Sequence, residues 1–127
     1  MSNVPDDLKY TKDHEWAKRE GNKLRIGITA FAVEQLGDIT LVELPKVGTK
    51  VEQGKAFGTV ESVKTLSDLF APIAGTVVEV NDKLASNPEL VNEDAYGKGW
   101  MVVIETADAG DGLMDAAAYK KHLEAGH

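Results

Sequence analysis

Gly58-Thr-Val-Glu-Ser-Val-Lys64-Thr-Leu-Ser-Asp-Leu-Phe70 is the stretch that decides the fold, because it predicts two short β strands joined by a turn at Lys64. Lys64 is the only basic residue between Lys55 and Lys83. We therefore expect its amine near the tip of a hairpin, where a modifying enzyme can reach it. The alternative is an ordinary solvated turn lysine, which is the commoner outcome for a lone lysine.

The composition predicts a single soluble domain, residues 1–127, with no nucleic-acid partner. A chain of 127 residues can bury roughly two-thirds of its unfolded surface, which is enough for a core without disulfides. The 14 basic and 21 acidic residues give a net charge of −7, which disfavours contact with phosphate backbones and suits solubility. The absence of cysteine excludes disulfides, thiolate metal sites and a cysteine nucleophile.

The chain shows no pattern typical of membrane insertion or export. No apolar run approaches the ~18 residues of a membrane span. Residues 1–7 lack both a signal-peptide core and an Arg-rich transit pattern. We therefore expect an unprocessed cytoplasmic protein with no membrane partner, and the plain Met1-Ser2 start favours a bacterial host. We also expect a monomer.

Short apolar runs between Gly, Pro, Asn and Asp predict a mainly β body over about residues 8–106. The predicted strands are 24–28, 39–44, 56–63, 66–70, 76–80 and 101–105. A weak repeat of residues 45–52 in 72–79 is compatible with two similar β layers joined at the Lys64 hairpin.

Only two helices are predicted. The short internal helix runs from Thr29, as N-cap, through Leu36, with Gly37 in the left-handed helical conformation as its terminator. The second helix is C-terminal. Residues 86–99 are predicted to form an ordered loop with at most a helical turn.

The C-terminal helix is predicted at about residues 112–125. Asp111 is the expected N-cap, Gly126 is the expected stop, and basic residues in the last turn complement the helix dipole. We expect this helix to act as a clasp on the body, without a part in chemistry.

The sequence lacks the usual signatures of a catalytic centre. It has no Gly-rich phosphate loop, no His-Glu-x-x-His zinc motif and no Gly-x-Ser-x-Gly nucleophile motif. Its three histidines are too scattered for a metal motif. Asp13-His14-Glu15-Trp16 could orient an imidazole between carboxylates, but such a tetrapeptide is more often a surface strand or a capped turn. We therefore predict no catalytic residue and no metal site, and we expect Trp16 and Trp100 to be core or cleft walls.

Many separate blocks of the sequence, in the same order, resemble the H proteins of the glycine cleavage system. The blocks are Leu8–Trp16, Ile26–Thr29, Leu36–Asp38, Val42–Pro45, Val60–Lys64, Ser67–Asp68, Ala71–Gly75, Glu79–Asn81, Pro88–Asn92 and Gly99–Trp100. The resemblance covers the whole chain. It implies a flattened barrel-sandwich hybrid fold of the lipoyl and biotinyl carrier type.

The resemblance implies that Lys64 bears lipoate in amide linkage and that the protein is a carrier without catalytic activity of its own. A cofactor with two sulfurs fits a chain that has no cysteine. Glu61 and Gly75 resemble positions that the lipoate-attaching enzyme reads, the first by its charge and the second by hairpin shape.

The resemblance also implies a set of partner enzymes. The lipoyl arm would accept the aminomethyl group of glycine at a pyridoxal-phosphate glycine decarboxylase and present it to an aminomethyltransferase, which passes the one-carbon unit to tetrahydrofolate. A dihydrolipoyl dehydrogenase that uses FAD and NAD would then restore the disulfide. The chemistry would therefore reside in cofactors and partners.

Three further positions resemble polar residues that line the cleft where a loaded arm parks: Asp13, Glu15 and Asp68. A carboxylate there would favour the cationic amine of the cargo. The chain departs from some family members by having Gln35, in place of His, before Leu36–Asp38.

Three other interpretations stay open at this point. A biotinyl carrier has a related fold, but that class favours Met on both sides of its lysine, whereas Val63 and Thr65 flank Lys64 here. A lipoyl relay protein similar to this family would donate its lipoyl group to 2-oxoacid dehydrogenases. A small β-rich interaction module would leave Lys64 unmodified.

Overall fold

Two antiparallel sheets form the body of the computed structural model, which describes residues 4–107, 110 and 112–125. Within these residues the strands are β1 (Lys9–Tyr10), β2 (Glu15–Glu20), β3 (Lys23–Ile28), β4 (Ile39–Glu43), β5 (Lys50–Val51), β6 (Ala56–Ser62), β7 (Leu66–Phe70), β8 (Gly75–Val80) and β9 (Val102–Glu105). The helices are α1 (Ala30–Leu36), α2 (Lys83–Ser86), α3 (Leu90–Glu93) and α4 (Ala116–Glu124). The prediction of a mainly β protein with an internal and a C-terminal helix is confirmed.

The two sheets differ in size and do not close into one continuous barrel. The larger sheet has the strand order β1-β2-β3-β9-β8-β5, and the smaller has the order β4-β6-β7. Because β6 pairs directly with β7, the Lys64 hairpin lies within the smaller sheet. The expectation that this hairpin joins two layers is therefore wrong.

Buried side chains from both sheets form the core. Ile26, Val77 and Ile104 of the larger sheet are fully buried in one cluster. A second cluster packs Val60 of the smaller sheet together with Leu84 of α2 and other apolar residues. Each such burial stabilises the fold by about 1.5–3 kcal/mol, so these clusters fix how the two sheets pack.

The ends of α1 follow from its local sequence. Thr29 is the N-cap, and its hydroxyl oxygen accepts from the N–H of Ala32 at 3.3 Å, as predicted. Gly37 ends the helix with φ 82° and ψ −152°, so φ is positive but the residue lies outside the left-handed helical region that was predicted. Asn92 of α3 then holds this turn, because its amide donates to the Gly37 carbonyl at 2.9 Å and its oxygen accepts from the N–H of Ile39 at 2.8 Å.

The helix α4 begins later than predicted. Asp115 is its N-cap, since a carboxylate oxygen accepts from the N–H of Ala118 at 2.8 Å, and the first helical residue is Ala116. The prediction of Asp111 as the N-cap is therefore wrong, and the cap is Asp115. Asp111 and Gly126, the predicted cap and stop, lie outside the described residues.

The contact between α4 and the start of the chain is aromatic. Tyr119 stacks on Tyr10 with ring centroids 4.7 Å apart and an angle of 8° between the planes. The backbone adds two hydrogen bonds between Tyr10 and Met114, at 2.7 and 2.8 Å. Trp16 completes this cluster, so α4 clasps the first strands of the larger sheet.

Several short elements were not predicted. The strand β2 has three buried residues followed by three exposed ones, so it lacks the alternation that marks a strand in a sequence. The strands β1 and β5 have two residues each. The prediction of only two helices is wrong because α2 forms a further single turn, without a side-chain cap hydrogen bond that the sequence would reveal. The single turn α3 agrees with the prediction that residues 86–99 hold at most a helical turn. None of the helices in the described part of the chain is long and apolar enough to cross a membrane.

The two tryptophans have the predicted wall positions. Trp16 is 1% exposed, and its indole N–H donates to the Ala95 carbonyl at 2.9 Å. Trp100 is partly buried in the wall of a surface cavity between α2, α3 and the residues before β9, and the guanidinium of Arg25 lies 4.5 Å from its ring centroid.

Gly27 faces Trp16 across the β2–β3 pair and leaves no room for a side chain. A Cβ at Gly27 would lie 2.6 Å from the indole ring. We predict that Gly27→Ala lowers the free energy of unfolding by about 1–3 kcal/mol, because the buried indole must shift. Gly112→Ala is the control, since a Cβ there would meet nothing closer than 3.8 Å. Urea denaturation measures both variants, and equal losses would contradict this packing account.

Candidate functional site

A tight turn between β6 and β7 presents Lys64. The last paired residues of the two strands are Glu61 and Leu66. The N–H of Ser62 donates to the Thr65 carbonyl at 2.8 Å, and Ser62 Oγ accepts from the N–H groups of Lys64 at 3.3 Å and Thr65 at 3.2 Å. Ser62 is 5% exposed, whereas Lys64 is exposed. The turn is therefore fixed from inside while the lysine stays accessible.

The tip of this hairpin is tied to the turn between α1 and β4. The N–H of Val63 donates to the Asp38 carbonyl at 3.1 Å. The Cε atom of Lys64 lies 3.8 Å from where a Cβ on Gly37 would be. The lysine side chain therefore lies beside the C-terminal end of α1, and Asn92 of α3 holds that end in place.

Exposed apolar side chains surround the lysine. Val63 is 70% exposed, Leu66 is 62% exposed, and Leu41, which pairs with Glu61 across β4 and β6, is 40% exposed. Large apolar side chains beside an exposed amine are typical of a surface that another protein contacts. Val63 and Leu66 fall at the ends of the predicted strands 56–63 and 66–70, where apolar residues are expected in the core, so their exposure was not predicted.

A cleft of about 360 Å³ lies next to this region, since it is lined by Leu36, the residue before Gly37, and by Ser67 of β7, and we name it the tip cleft. It lies between α1, β7 and the turn before β2. Asp13, Glu15 and Asp68 all line it, so the structure brings the three predicted cleft residues together, and Gln35 lines it as well. The remaining lining residues are His14, Ser67 and the apolar residues Ile28, Phe31, Ala32, Leu36, Val60 and Leu69. The volume lies within the range of small-molecule sites, about 300–1,000 Å³.

Glu15 is the buried carboxyl group of the tip cleft, with an exposed fraction of 2%. One oxygen accepts from the Thr11 hydroxyl at 2.7 Å, and the other accepts from the N–H of Phe70 at 3.4 Å. Burial raises the pKa of Glu15 from its ordinary 4.5 to about 8, and the two hydrogen bonds only partly oppose this shift. At neutral pH the group is mainly protonated, and a cation in the cleft would favour its ionised form.

His14 lies in the wall of the same cleft. Its Nδ1 atom is 2.7 Å from the hydroxyl oxygen of Tyr119 on α4, and its ring centroid is 4.7 Å from that of Phe31. The Glu15 carboxyl is occupied by Thr11 and the Phe70 N–H, so it does not orient the imidazole as the tetrapeptide suggested.

The structure separates the two predicted recognition residues. Glu61 is exposed and lies on the hairpin itself, three residues before Lys64. Gly75 begins β8 in the larger sheet, at the far end of β7 from the tip. A Cβ on Gly75 would overlap the Glu105 carbonyl oxygen and lie 2.6 Å from a methyl of Ile104. Its position therefore gives Gly75 a packing role between β8 and β9.

The site can hold a flexible attached group, and its geometry differs from that of a metal centre. Among the residues that the structure describes, no group of three or more His, Cys, Asp or Glu side chains is placed to hold a metal ion. The site combines an exposed amine on a fixed turn with the tip cleft nearby. The cleft offers three carboxyl groups and an apolar wall to whatever the amine bears.

Comparisons with known proteins point to one family. The family model "Glycine cleavage H-protein" matches residues 8–126. The glycine cleavage system H protein of Halalkalibacterium halodurans is 58% identical over 125 residues, which cover 97% of this chain and 98% of that protein. The protein of the same name from Anaeromyxobacter sp. is 56% identical over 123 residues, 95% of this chain and 96% of that protein. The crystal structure of a glycine cleavage system H protein from Mycobacterium marinum matches with a TM-score of 0.89 at 41% identity, over 95% of this chain and 99% of that chain. The predicted fold class is confirmed.

The raised pKa of Glu15 predicts a pH dependence of stability. Between pH 4.5 and about 8 the folded state holds a proton on this carboxyl that the unfolded state has lost. This contribution to the free energy of unfolding is fully present below pH 4.5 and is lost as the pH rises toward 8, by at most about 1.4 kcal/mol per pH unit. Glu15→Gln mimics the protonated acid, so we expect the variant to gain stability relative to the parent as the pH rises.

Urea denaturation of both proteins at about pH 5.5, 6.5 and 7.5 measures this effect. The comparison between parent and variant removes the contributions of the other titrating groups, which both proteins share. A stability difference that stays constant over this range would contradict the assignment of Glu15 as a buried, mainly protonated acid.

Proposed function

This chain belongs to the glycine cleavage H-protein family, and we propose that it is the lipoyl-bearing carrier that moves the aminomethyl group of glycine between enzymes of the glycine cleavage system. The attachment point is the Nζ atom of Lys64. The protein contributes a tether and a cleft, and the partner enzymes and cofactors contribute the catalytic chemistry.

One observation supports the attachment point above all others. Lys64 is exposed on a turn that the buried Ser62 hydroxyl and the Asp38 carbonyl both hold. A modifying enzyme therefore meets the lysine in a single backbone conformation and does not have to order the loop on binding. Exposed Val63 and Leu66 offer apolar contact area next to the amine.

The residues around the tip fit an attached lipoyl group. When bound, lipoate supplies the sulfur chemistry that a chain without cysteine lacks. The Lys64 side chain, which would form the first part of the tether, lies beside Gly37 at the end of α1. Asp13, Glu15 and Asp68 offer carboxyl groups to a cationic amine in the tip cleft, and the apolar side chains of the cleft cover part of the attached group.

We assign four enzyme partners from the chemistry of the family. A pyridoxal-phosphate glycine decarboxylase loads the carrier, and an aminomethyltransferase unloads it to tetrahydrofolate. A dihydrolipoyl dehydrogenase with FAD and NAD reoxidises it, and a lipoate-attaching enzyme modifies Lys64. In each encounter the rigid body raises the local concentration of the tethered group at the docked site. We propose that the chain acts as a monomer in a bacterial cytoplasm, since the relatives named above are bacterial.

Glu61 and Gly75 complete the proposal as determinants of modification. Glu61 places an exposed carboxylate on the hairpin, where the attaching enzyme can read its charge. Gly75 acts at a distance, because its close contact with Glu105 and Ile104 sets how β7 leads into the larger sheet. Its effect on modification would therefore come through the shape of the hairpin.

Lys64→Arg tests the attachment point. Arginine keeps the positive charge but cannot form the amide, so we expect complete loss of the lipoyl mass increment in protein made in lipoate-replete cells. Lys55→Arg is the matched control, since Lys55 is also exposed, and it should stay fully modified. Intact-mass and peptide mass spectrometry read the result.

The same two variants test the glycine-cleavage assignment. Lipoylated parent and Lys55→Arg should support carbon exchange between glycine and labelled bicarbonate with purified glycine decarboxylase, and Lys64→Arg should not. Lipoylation without exchange in the parent would contradict the assignment to glycine cleavage. A lipoyl increment that persists in Lys64→Arg would contradict the attachment point.

Leu66→Ser tests the apolar surface beside the lysine. Leu66 and Val47 are both 62% exposed, but only Leu66 lies next to the Lys64 turn. We expect Leu66→Ser to slow lipoylation several-fold in a purified ligase assay, because the enzyme loses apolar contact area, while Val47→Ser leaves the rate unchanged. Glu61→Gln in the same assay tests whether the ligase reads the negative charge of the Glu61 carboxylate. Equal rates for Leu66→Ser and Val47→Ser would show that the ligase does not use this surface.

A further inference from the structure

His14 holds a strained backbone conformation in the wall of the tip cleft. Its φ is 69°, and among the described residues it is the only one besides glycine with a positive φ. Its N–H donates to the Thr11 carbonyl at 3.1 Å, and its carbonyl accepts from the N–H of Thr29 at 2.9 Å. Backbone strain of this kind at a residue in a binding cleft points to a functional role for its side chain.

A chain of hydrogen bonds joins the imidazole to two buried hydroxyl groups. The Nδ1 atom of His14 lies 2.7 Å from the hydroxyl oxygen of Tyr119, which in turn lies 2.8 Å from Thr29 Oγ1. Tyr119 and Thr29 are both fully buried. Thr29 Oγ1 already accepts from the N–H of Ala32 at 3.3 Å. The helix α4 thus reaches the tip cleft through one hydroxyl group.

The number of protons that the three hydrogen-bonded groups share decides which ring nitrogen of His14 is protonated. Three groups share two hydrogen bonds, and the hydroxyl protons of Thr29 and Tyr119 satisfy both when Nδ1 has no proton. Thr29 then donates to Tyr119, and Tyr119 donates to Nδ1. A proton on Nδ1 would leave one of these hydroxyl protons without an acceptor among the described residues, where water does not reach either group.

We propose that Tyr119 holds His14 as the neutral Nε2–H tautomer, so that the tip cleft presents an uncharged ring to a cationic cargo. Tyr119 is a positioning residue that acts through His14. The part that concerns cargo rests on the proposed function. A charged imidazolium here would repel a cationic amine and would compete with it for the carboxyl groups that line the cleft.

The groups around the ring show why a specific device is needed. Within the described part of the chain, the titratable side chains near His14 include Asp13, Glu15 and Asp68 in the cleft, and Tyr119 and His122 on α4. Ionised carboxylates favour a proton on the ring, so the hydroxyl chain acts against them. The His122 ring lies 5.8 Å away, and its Nε2–H donates to the Lys12 carbonyl at 3.2 Å. On the α1 side the neighbour is the apolar ring of Phe31.

The test compares Tyr119→Phe with Tyr96→Phe in the unmodified full-length protein. Tyr96 is the matched control, because its hydroxyl group also contacts the start of α1, where it accepts from the N–H of Ala30 at 3.0 Å. Tyr96 does not line the tip cleft. Side-chain ¹⁵N NMR at about pH 7.5 shows which ring nitrogen of His14 is protonated, and a pH titration gives its midpoint.

We expect Nδ1 to be unprotonated in the parent and in Tyr96→Phe. Tyr119→Phe should raise the midpoint of His14 by about one to two pH units, a ten- to hundredfold change in proton affinity, which is the size expected when a buried hydroxyl no longer opposes protonation. A protonated Nδ1 in the parent at pH 7.5 would overturn the proposal. A shift below about 0.3 pH units would also overturn it, and if Tyr119→Phe does not fold, the tautomer of the parent still decides.

Cargo retention tests the second half of the proposal. The NMR experiments need no lipoate, so their outcome is independent of whether Lys64 is modified. Lipoylated protein loaded from labelled glycine should lose its label several-fold faster at about pH 6.5 in Tyr119→Phe than in Tyr96→Phe. Equal rates of loss, together with a shifted His14 midpoint, would overturn the link between the neutral ring and the cargo.

Discussion

The hydroxyl group of Ser62 is the interaction on which the rest of the site depends. It accepts from the N–H groups of Lys64 and Thr65 and is itself buried, so the turn is held from the inside of the protein. The bond from Val63 to Asp38 then fixes the turn relative to α1. The conformational entropy of this loop is lost when the protein folds, and a partner that docks on the tip does not have to order it again.

The residues that break local folding rules lie together at the tip and in its cleft. Glu15 is a buried acid, His14 has a positive φ, and Val63 and Leu66 are exposed apolar side chains. Each feature destabilises a folded protein or lowers its solubility when considered alone. The three core clusters compensate, since they bury apolar side chains from both sheets and from α4. Departures from ideal structure that concentrate at one place are typical of a functional site.

The sequence was sufficient for the features that depend on local patterns, and insufficient for those that depend on packing. The Lys64 hairpin, the Thr29 cap and the main strands have strong local signals in β-forming residues and turn residues. The start of α4 was misplaced because two aspartates were available as caps, and tertiary contacts of Tyr119 decide between such candidates. The strand β2 has no alternation, since Trp16 packs against α4 and the next residue, Ala17, is buried in the core cluster of the larger sheet.

Within the site, the three cleft carboxylates were predicted from a family resemblance, and the structure supplies their shared cavity. The contact of Tyr119 with His14 in the wall of that cavity has no sequence signal, because the two residues lie 105 positions apart. The claim that the hairpin tip is rigid before any modification is tested most directly by ¹⁵N relaxation of the unmodified protein. We expect backbone order parameters of about 0.85 for residues 62–65, equal to those of β6 and β7, and values below about 0.6 in the turn would contradict the claim.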